Sequence, residues 1–137
     1  MPDIDEFLHE ANIAILSTVD KKGRPHALPI WYLYEDETFI LSTGRGAQKH
    51  KNVEGNPEIS LTMDKRTLPY YAVMVRGSAE IGPPLTDEQR RRMANRYLGE
   101  DLGLRYYEST SGSDSITIRL KPAKTIVYEG RAARTIK

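Results

Sequence analysis

The sequence has no cysteine among its 137 residues. This absence excludes disulfide bonds, thiolate metal sites and a cysteine nucleophile. An excess of one charge is also lacking, because 20 Lys and Arg residues nearly balance 19 Asp and Glu residues, for a formal net charge of +1. Such a balance gives no support to bulk electrostatic binding of nucleic acid or of an anionic membrane. Any binding of anions must therefore be local.

Long apolar runs are missing as well. No stretch approaches the roughly 20 apolar residues that a membrane-spanning helix needs. Residues 1–10 are acidic and contain no hydrophobic core of a signal peptide. Together with the absence of cysteine, these features lead us to expect a cytoplasmic protein without a membrane partner. The length suits a single domain over residues 1–137, with a flexible tail after about residue 130.

Recognisable catalytic motifs are absent too. The three histidines, His9, His26 and His50, lack the spacing of a metal site, and there is no Gly-x-Ser-x-Gly elbow. The acidic pairs fall in predicted turns and helix ends, where they are typical of solvated or capping groups. The residues therefore predict no metal site and identify no catalytic side chain for hydrolysis or covalent catalysis.

Short apolar segments separated by tight turns dominate the secondary-structure pattern. Seven strands are predicted, at residues 13–19, 24–34, 38–43, 58–64, 70–81, 115–120 and 125–128. Helices are predicted at residues 3–12, 47–54 and 86–98, with a shorter helical piece at 102–107. Because strands and helices do not alternate, we expect a mainly β fold, a barrel of about six to seven antiparallel strands with a few short helices. Pro29 implies an edge, a bulge or a break in the second strand.

A candidate anion site follows the third predicted strand. The strand ends in Ser42 and Thr43, a Gly-Arg-Gly loop follows, and a helix with cations in its first turns comes next. The glycines allow close backbone approach, the helix N-terminus offers free N–H groups, and Arg45 and Lys49 add positive charge. The same spacing is also typical of an ordinary loop before a solvated basic helix, and the spacing alone does not separate the two interpretations.

Aromatic residues suggest a second element of a site. Trp31, the only tryptophan, follows Pro29 by two residues and could form a wall beside a planar ligand, or fill a core or dimer interface. Tyr70 and Tyr71 open the fifth strand, where adjacent side chains face opposite sides, so at most one of them can line a given pocket. An anion pocket and an aromatic wall without catalytic side chains favour a cofactor that carries its own chemistry.

An ordered set of short motifs carries a family resemblance. The motifs are Leu16-Ser17-Thr18-Val19, Gly23-Arg24-Pro25-His26, Pro29-Ile30-Trp31-Tyr32, Ser42-Thr43-Gly44-Arg45-Gly46, Lys49-x-x-Asn52, Asn56-Pro57-x-Ile59-Ser60-Leu61 and Val75-Arg76-Gly77-x-Ala79-Glu80. No single motif is specific, but their order is. The chain resembles the pyridoxamine 5′-phosphate oxidase-like split β-barrel superfamily from about Phe7 to Tyr128. Within it, the sequence is most similar to the flavin/deazaflavin oxidoreductases of the B type, which are probable F420-dependent enzymes.

The resemblance implies a split β-barrel and a homodimer with the cofactor at the interface. It implies hydride transfer between coenzyme F420 and a small organic substrate. Two alternatives within the fold stay open, an FMN-dependent oxidoreductase and a non-catalytic flavin- or haem-binding protein. A small barrel that binds anions or single-stranded nucleic acid is a third class, and the near-neutral charge argues against it.

The resemblance also implies particular site residues. In such proteins the cofactor phosphate sits at the positions that here hold Ser42, Thr43, Arg45, Gln48 and Lys49. The ring lies along Pro29, Ile30 and Trp31, and the segment with Tyr70 and Tyr71 approaches the ring or the substrate. The chain departs from the pyridoxamine 5′-phosphate oxidases themselves at two positions. These enzymes usually carry arginine where this chain has Gln48, and they carry a flavin-contacting glutamine where it has Ala72. FMN ends at its phosphate, whereas F420 continues into a lactyl-polyglutamate tail that should need a longer basic groove.

Overall fold

The computed structural model describes residues 3–130 and 132–136 of the chain. These residues contain nine strands and three helices. The strands are β1 (Ala14–Val19), β2 (Pro25–Ile30), β3 (Leu33–Glu35), β4 (Thr38–Gly44), β5 (Glu58–Lys65), β6 (Tyr71–Gly82), β7 (Ser115–Leu120), β8 (Lys124–Glu129) and β9 (Ala132–Thr135). The helices are α1 (Ile4–His9), α2 (Gln48–Gly55) and α3 (Asp87–Ser109). Within the described residues, no helix has both the length and the apolar character needed to cross a membrane. The mainly β fold predicted from the sequence is confirmed.

An antiparallel path of seven strands runs in the order β2-β1-β5-β6-β7-β4-β3. The 12-residue strand β6 is its centre, because its first half pairs with β8 and its last residues pair with β7. Strand β5 pairs with β6 on the other side over the whole length of β5. Since β6 serves two sheets that diverge from each other, the path curls into a half-barrel around a common core.

Alternation along the strands sends apolar side chains into this core. On β1, Ala14, Leu16 and Thr18 are buried and the residues between them are half-buried. Burial of a large apolar side chain contributes about 1.5–3 kcal/mol, so a row of such positions fixes the register of each strand. The largest fully buried side chains are Tyr32, Phe7, Phe39, Leu16, Leu41, Leu61, Met63, Ile118, Leu120, Val73, Val75 and Val127.

The second predicted strand, residues 24–34, is broken in the structure. Strand β2 ends at Ile30, and β3 begins at Leu33 in the other half of the sheet. Between them, the backbone N–H of Tyr32 donates to the Tyr97 hydroxyl at 3.1 Å instead of to a neighbouring strand. Pro29 lies on β2, which is an edge strand paired on one side with β1, so the expected edge and break both occur. The prediction of one continuous strand was wrong.

The C-terminal tail also differs from the prediction. We expected residues after about 130 to be flexible, but Ala132–Thr135 form β9 and pair with β8. The four residues of β9 are all exposed, so the strand is held by backbone hydrogen bonds and not by an apolar face. Beyond it, the N–H of Ile136 donates to the carbonyl of Thr125 at 2.8 Å. The break after β2 and the addition of β9 raise the strand count from seven to nine.

Gly99 divides α3 into two helical segments. Thr86 caps the first segment, since its side chain accepts from the Gln89 N–H and the Gln89 side chain accepts from the Thr86 N–H. Gly99 has φ 81° and ψ 176°, a positive-φ conformation that glycine adopts far more readily than other residues. The predicted helix end near residue 98 and the separate helical piece after it are confirmed, and the second segment extends to Ser109.

We refer to residues 100–109 as the return helix, because they run back along the first segment of α3. Gly103 of the return helix lies against Ala94, and a Cβ atom at Gly103 would be only 3.0 Å from the Ala94 backbone. This distance is tighter than nine in ten real Cβ contacts, so the close approach favours glycine. The two segments therefore form a helical hairpin with Gly99 at its bend.

The first segment of α3 is fixed to the β3–β4 face. Met93 is buried there against Leu33 and Ile40. At the edge of this contact, Arg92 donates to the Glu35 carboxylate at 2.8 Å, and this bond holds the pKa of Glu35 below its usual range. These contacts place α3 next to Trp31, which follows β2, and next to the end of β4.

Candidate functional site

A cavity of about 550 Å³ lies between the segment after β2, the end of β4 and α3. Five of the eight residues expected to bind a cofactor line it, namely Pro29, Ile30, Trp31, Ser42 and Thr43. The two segments are distant in the sequence, and the curl of the sheet brings them together. The other three expected residues, Arg45, Gln48 and Lys49, do not line this cavity.

One end of the cavity is aromatic. The indole of Trp31 stacks on the ring of Tyr97, with centroids 4.8 Å apart and planes 4° apart. Tyr106 of the return helix also lines the cavity and contacts the indole at 5.4 Å with a tilt of 56°. Because Tyr97 covers one face of the indole, Trp31 is held in a fixed orientation. The Trp31 side chain is half-buried.

A hydrogen-bond network behind Trp31 fixes this aromatic end. The Tyr97 hydroxyl donates to the carbonyl of Asn12 at 2.7 Å and accepts from the Tyr32 N–H. The Tyr32 hydroxyl donates to the carbonyl of Leu8 at 2.8 Å and accepts from the Asn12 side chain at 3.2 Å. Burial raises the pKa of Tyr32 to about 12, so this phenol stays protonated and acts as a structural donor.

A second part of the lining is polar, and we call it the polar end. Ser42 and Thr43 lie near the end of β4, and Ser115 at the start of β7 pairs with Gly44 beside them. Arg90 of α3 also lines the cavity and is counted with this part. Its Nη2 donates to the carbonyl of Tyr107 at 2.6 Å and to the Thr110 hydroxyl at 3.0 Å. The cavity thus combines an aromatic end with an end that carries hydroxyls and a cation.

The sequence did not place Arg90 among the site residues, because the run Arg90-Arg91-Arg92 is usually a solvated helix face, although such a run can also steer an anionic tail. Helical spacing contains the missing signal. Residues at positions i, i+3, i+4 and i+7 share one face of a helix. Counted from Arg90, these positions hold Met93, Ala94 and Tyr97, all of which the structure turns toward the cavity or the sheet.

Arg45 is engaged by the loop before β7. Its backbone N–H donates to the carbonyl of Asp114 at 3.1 Å, and its Nε donates to the Asp114 carboxylate at 3.0 Å. Asp114 lines the cavity, whereas Arg45 does not. A ligand at the loop would therefore compete with Asp114 for the Arg45 side chain.

The backbone donors of the Gly-Arg-Gly loop are also used internally. The N–H of Gly46 donates to His50 Nδ1 at 2.9 Å, and the N–H of Ala47 donates to the carbonyl of Gly44 at 3.1 Å. Gly46 has φ 81°, which explains the second glycine of the loop. The free backbone donors expected for an anion are therefore those of the first turn of α2, where Lys49 lies.

A row of hydrogen-bonded polar side chains connects α2 to β1 of the barrel. Gln48 donates to the Asn52 side-chain oxygen at 2.7 Å, and the Asn52 amide donates to the Thr18 hydroxyl of β1 at 3.0 Å. Asn52 is 4 % exposed and Thr18 is 2 % exposed. In this structure Gln48 therefore supports Asn52 instead of facing the cavity.

The sequence pattern of a protein family described as pyridoxamine 5′-phosphate oxidase matches residues 1–128. The match includes the end of β2 with Trp31, the end of β4 and α3, which build the cavity. The chain belongs to the pyridoxamine 5′-phosphate oxidase family. This assignment confirms the superfamily resemblance read from the ordered motifs.

Two curated relatives show how wide the family is. The chain is 30 % identical to the pyridoxine/pyridoxamine 5′-phosphate oxidase of Rubrobacter xylanophilus over 97 residues, which are 70 % of this chain and 43 % of that protein. It is 32 % identical to the heme oxygenase HutZ of Vibrio cholerae over 62 residues, which are 45 % of this chain and 35 % of that protein. Each match thus spans less than half of the relative's length.

One solved structure supports the assignment of the fold. The structure of an F420 reductase matches 91 % of this chain and 98 % of that chain, with a TM-score of 0.73 and 22 % sequence identity. At this identity the likeness concerns the fold alone. The predicted split β-barrel, with its curled antiparallel sheet and few helices, is confirmed.

Tyr70 and Tyr71, which were expected on the substrate side, do not line the cavity of this family member. Tyr70 is 56 % exposed, and Tyr71 is 3 % exposed with its ring edge-on to Phe7 at 5.0 Å. Burial raises the pKa of Tyr71. One of the pair is thus buried and the other exposed, and neither lines the cavity.

Proposed function

We propose that this protein is an oxidoreductase that binds a flavin-type cofactor, with coenzyme F420 as the first choice. The reaction would transfer a hydride between the cofactor and a small organic substrate. The observation that carries the proposal is the cavity of about 550 Å³ with an aromatic end at Trp31 and a polar end at Ser42, Thr43 and Arg90. Its volume is in the range of small-molecule and cofactor sites, which span about 300–1,000 Å³.

The residues present fit a flat ring joined to an anionic group. Trp31 and Tyr106 would contact the ring, and the hydroxyls of Ser42 and Thr43 would donate to the phosphate end. Lys49, in the first turn of α2, would add charge there. When bound, the cofactor supplies the hydride chemistry. The chain binds and orients it, and its aromatic residues exclude water from the ring.

Two observations favour F420 over FMN. The match with the F420 reductase covers 98 % of that protein, so nearly its whole fold is present in this chain. The matched oxidase is more than twice as long as the matched region, since only 43 % of it is covered. In addition, the position where oxidases usually carry arginine holds Gln48, whose side chain bonds to Asn52. FMN remains the alternative cofactor of the same reaction type.

The similarity to HutZ makes haem binding a second candidate function. Haem iron is held in proteins by His, Cys, Met or Tyr side chains. None of the three histidines lines the cavity, whereas Met93 and Tyr106 do. Haem in this cavity would therefore need one of these two residues as its axial ligand.

We also propose that the protein is a homodimer with the cofactor at the interface. Apolar side chains at the mouth of the cavity support this assembly, because Ile13 is 45 % exposed and Tyr106 is 45 % exposed in the isolated chain. A second copy that covers them would complete the enclosure of the ring.

Titration of the purified protein with FMN and with F420 tests the proposed function. Trp31 is the only tryptophan, so its fluorescence reports directly on the aromatic end of the cavity. We expect F420 to quench this emission at micromolar concentration and to bind more tightly than FMN. Oxidation of the reduced cofactor would then be followed with a panel of small conjugated substrates. If neither cofactor binds at micromolar concentration, the proposal fails, and tighter binding of FMN would select the alternative.

Replacement of Lys49 by alanine should weaken cofactor binding by about 1–3 kcal/mol, as expected for the loss of one charged hydrogen bond. Lys51 provides a matched control, because residues two apart lie on different sides of a helix and Lys51 is exposed. Fluorescence titration of Lys49→Ala and Lys51→Ala measures both effects. Equal affinities in the two variants would remove Lys49 from the site.

A further inference from the structure

We propose that Arg90 binds an oxyanion, a phosphate or a carboxylate, of the ligand that occupies the cavity. This contact would lie on α3, apart from the β4–α2 loop that the family resemblance assigns to the cofactor phosphate. The inference rests on the proposed function in one respect, namely that the cavity is the ligand site. It adds a binding residue that neither the motifs nor the resemblance identified.

The charges that line the cavity leave Arg90 as its available cation. Among the described lining residues, Arg90 and Asp114 are the charged ones. Asp114 is paired with Arg45, whose Nε is 3.0 Å from its carboxylate. The Arg90 side chain is 21 % exposed, and its acidic neighbour Asp87 is 84 % exposed and 3.4 Å away. The other pair is exposed as well, since Arg45 is 55 % and Asp114 is 74 % exposed, so solvent weakens both pairs, and Arg90 is the cation among the described lining residues that can bind an anion.

The guanidinium of Arg90 is held in place before any ligand arrives. Its plane lies over the ring of Tyr107, with a distance of 4.4 Å to the centroid. Its Nη2 bonds to the carbonyl of Tyr107 and to the hydroxyl of Thr110. A side chain that is already ordered loses little further rotamer freedom on binding, so its contact with a ligand is favoured.

Donors remain on Arg90 for a ligand. A guanidinium has five N–H groups, and the contacts with Tyr107, Thr110 and Asp87 use only those on Nη1 and Nη2. The Nε–H makes no hydrogen bond within the described part of the chain. Both N–H groups of Nη2 are used, so the Nε–H and the remaining N–H of Nη1 are the donors left for an oxygen of a phosphate or carboxylate.

The rest of the cavity indicates what the anion is attached to. Ser42, Thr43 and Arg90 line the same cavity as Trp31 and Tyr106. A ligand that satisfies both ends has an aromatic ring and an acidic group. The cofactor phosphate, the carboxylates of an F420 tail and an acidic substrate share this oxyanion chemistry.

The experiment must separate anion binding from support of the return helix, since Arg90 contacts both Tyr107 and Thr110. Arg90→Gln removes the charge, and Arg90→Lys keeps the charge without a guanidinium. Arg91→Gln removes the neighbouring charge, which also lies over the Tyr107 ring at 5.6 Å, but Arg91 does not line the cavity. Circular dichroism and thermal unfolding confirm that each variant is folded.

The first readout compares ligands that differ only in an anionic group. FMN against riboflavin reports a phosphate contact, and F420 against the same deazaflavin without its glutamate residues reports a tail contact. We expect Arg90→Gln to weaken binding of the member that carries the anionic group by tenfold or more in at least one pair, with the member that lacks this group unchanged within a factor of two. Arg90→Lys should be intermediate, and Arg91→Gln should be close to the wild type. An equal loss for both members of each pair, or an equal loss in Arg91→Gln, would overturn the proposal.

The second readout needs no flavin. In wild-type protein, millimolar inorganic phosphate should shift the NMR resonance of the Arg90 Nε–H, assigned through its loss in Arg90→Lys. If no flavin binds to the wild type, the proposed function fails, and this phosphate titration alone decides the role of Arg90. A phosphate-dependent shift would support the role, and an unchanged resonance would overturn it.

Discussion

Replacement of Trp31 by alanine should weaken binding of the flavin-type cofactor by at least about 100-fold, or about 3 kcal/mol. Stacking of a planar ring on one aromatic side chain contributes about 1–3 kcal/mol. The substitution also removes the partner on which Tyr97 and Tyr106 pack, at 4.8 and 5.4 Å, so the whole aromatic end loses its order. Because the variant has no tryptophan, the titration would follow the fluorescence of the cofactor.

Tyr70→Ala is the matched control for Trp31→Ala. It also truncates a large aromatic side chain, but Tyr70 is 56 % exposed and lies outside the cavity. We expect its cofactor affinity to equal that of the wild type within a factor of two. Trp31→Phe keeps an aromatic ring and should recover most of the lost affinity. If Trp31→Ala and Tyr70→Ala bound the cofactor equally well, the aromatic end would not be the ring site.

Replacement of Asn52 by alanine should lower the free energy of unfolding by about 2–3 kcal/mol. The change leaves the buried Thr18 hydroxyl without its 3.0 Å partner and opens a small void, and an unsatisfied buried polar group alone costs about 1–3 kcal/mol. Because Asn52 joins α2 to β1, the variant should also weaken phosphate binding at the start of α2. Urea denaturation and cofactor titration measure the two effects.

The double variant Thr18→Val with Asn52→Leu separates polarity from packing. Replacing both partners of a buried hydrogen bond by apolar groups is often nearly neutral, so the double variant should be clearly more stable than Asn52→Ala. Gln48→Ala removes only the exposed member of the row of hydrogen-bonded side chains and should cost less than about 1 kcal/mol. Equal losses in Gln48→Ala and Asn52→Ala would show that burial of Asn52 does not control the stability of α2.

Local patterns predicted most of the fold. The capping box at Thr86 and the break at Gly99 depend on neighbouring residues, so the sequence reveals them directly. The strand alternation likewise reflects which side chains face the core. The break after Ile30 was different, because the Tyr32 N–H finds its acceptor at Tyr97, 65 residues away. Strand β9 was missed because its pairing depends on the backbone of β8 and not on its own side chains.

The site was also predictable only where local patterns identify its residues. The two segments around Trp31 and Thr43 stand out by residue type, and the fold brings them to one cavity. Arg45 and Gln48 were expected to face a ligand, but the structure pairs them with Asp114 and Asn52. These partnerships depend on tertiary distances that residue types do not report. Arg90 was hidden in a run of arginines whose individual directions only the position of α3 determines.

The edge strand β2 affects how the protein behaves at high concentration. An exposed sheet edge is a template for edge-to-edge polymerisation, because its unpaired N–H and C=O groups can join another strand. Proline is tolerated on an edge strand where its nitrogen faces solvent and not the neighbouring strand. Because backbone groups alternate in direction along a strand, the nitrogens of residues 25, 27 and 29 all face the outer edge. Since Pro25 and Pro29 have no N–H, only Ala27 can donate along that outer edge. The strand is therefore a poor template for fibril growth, although its side chains are largely exposed.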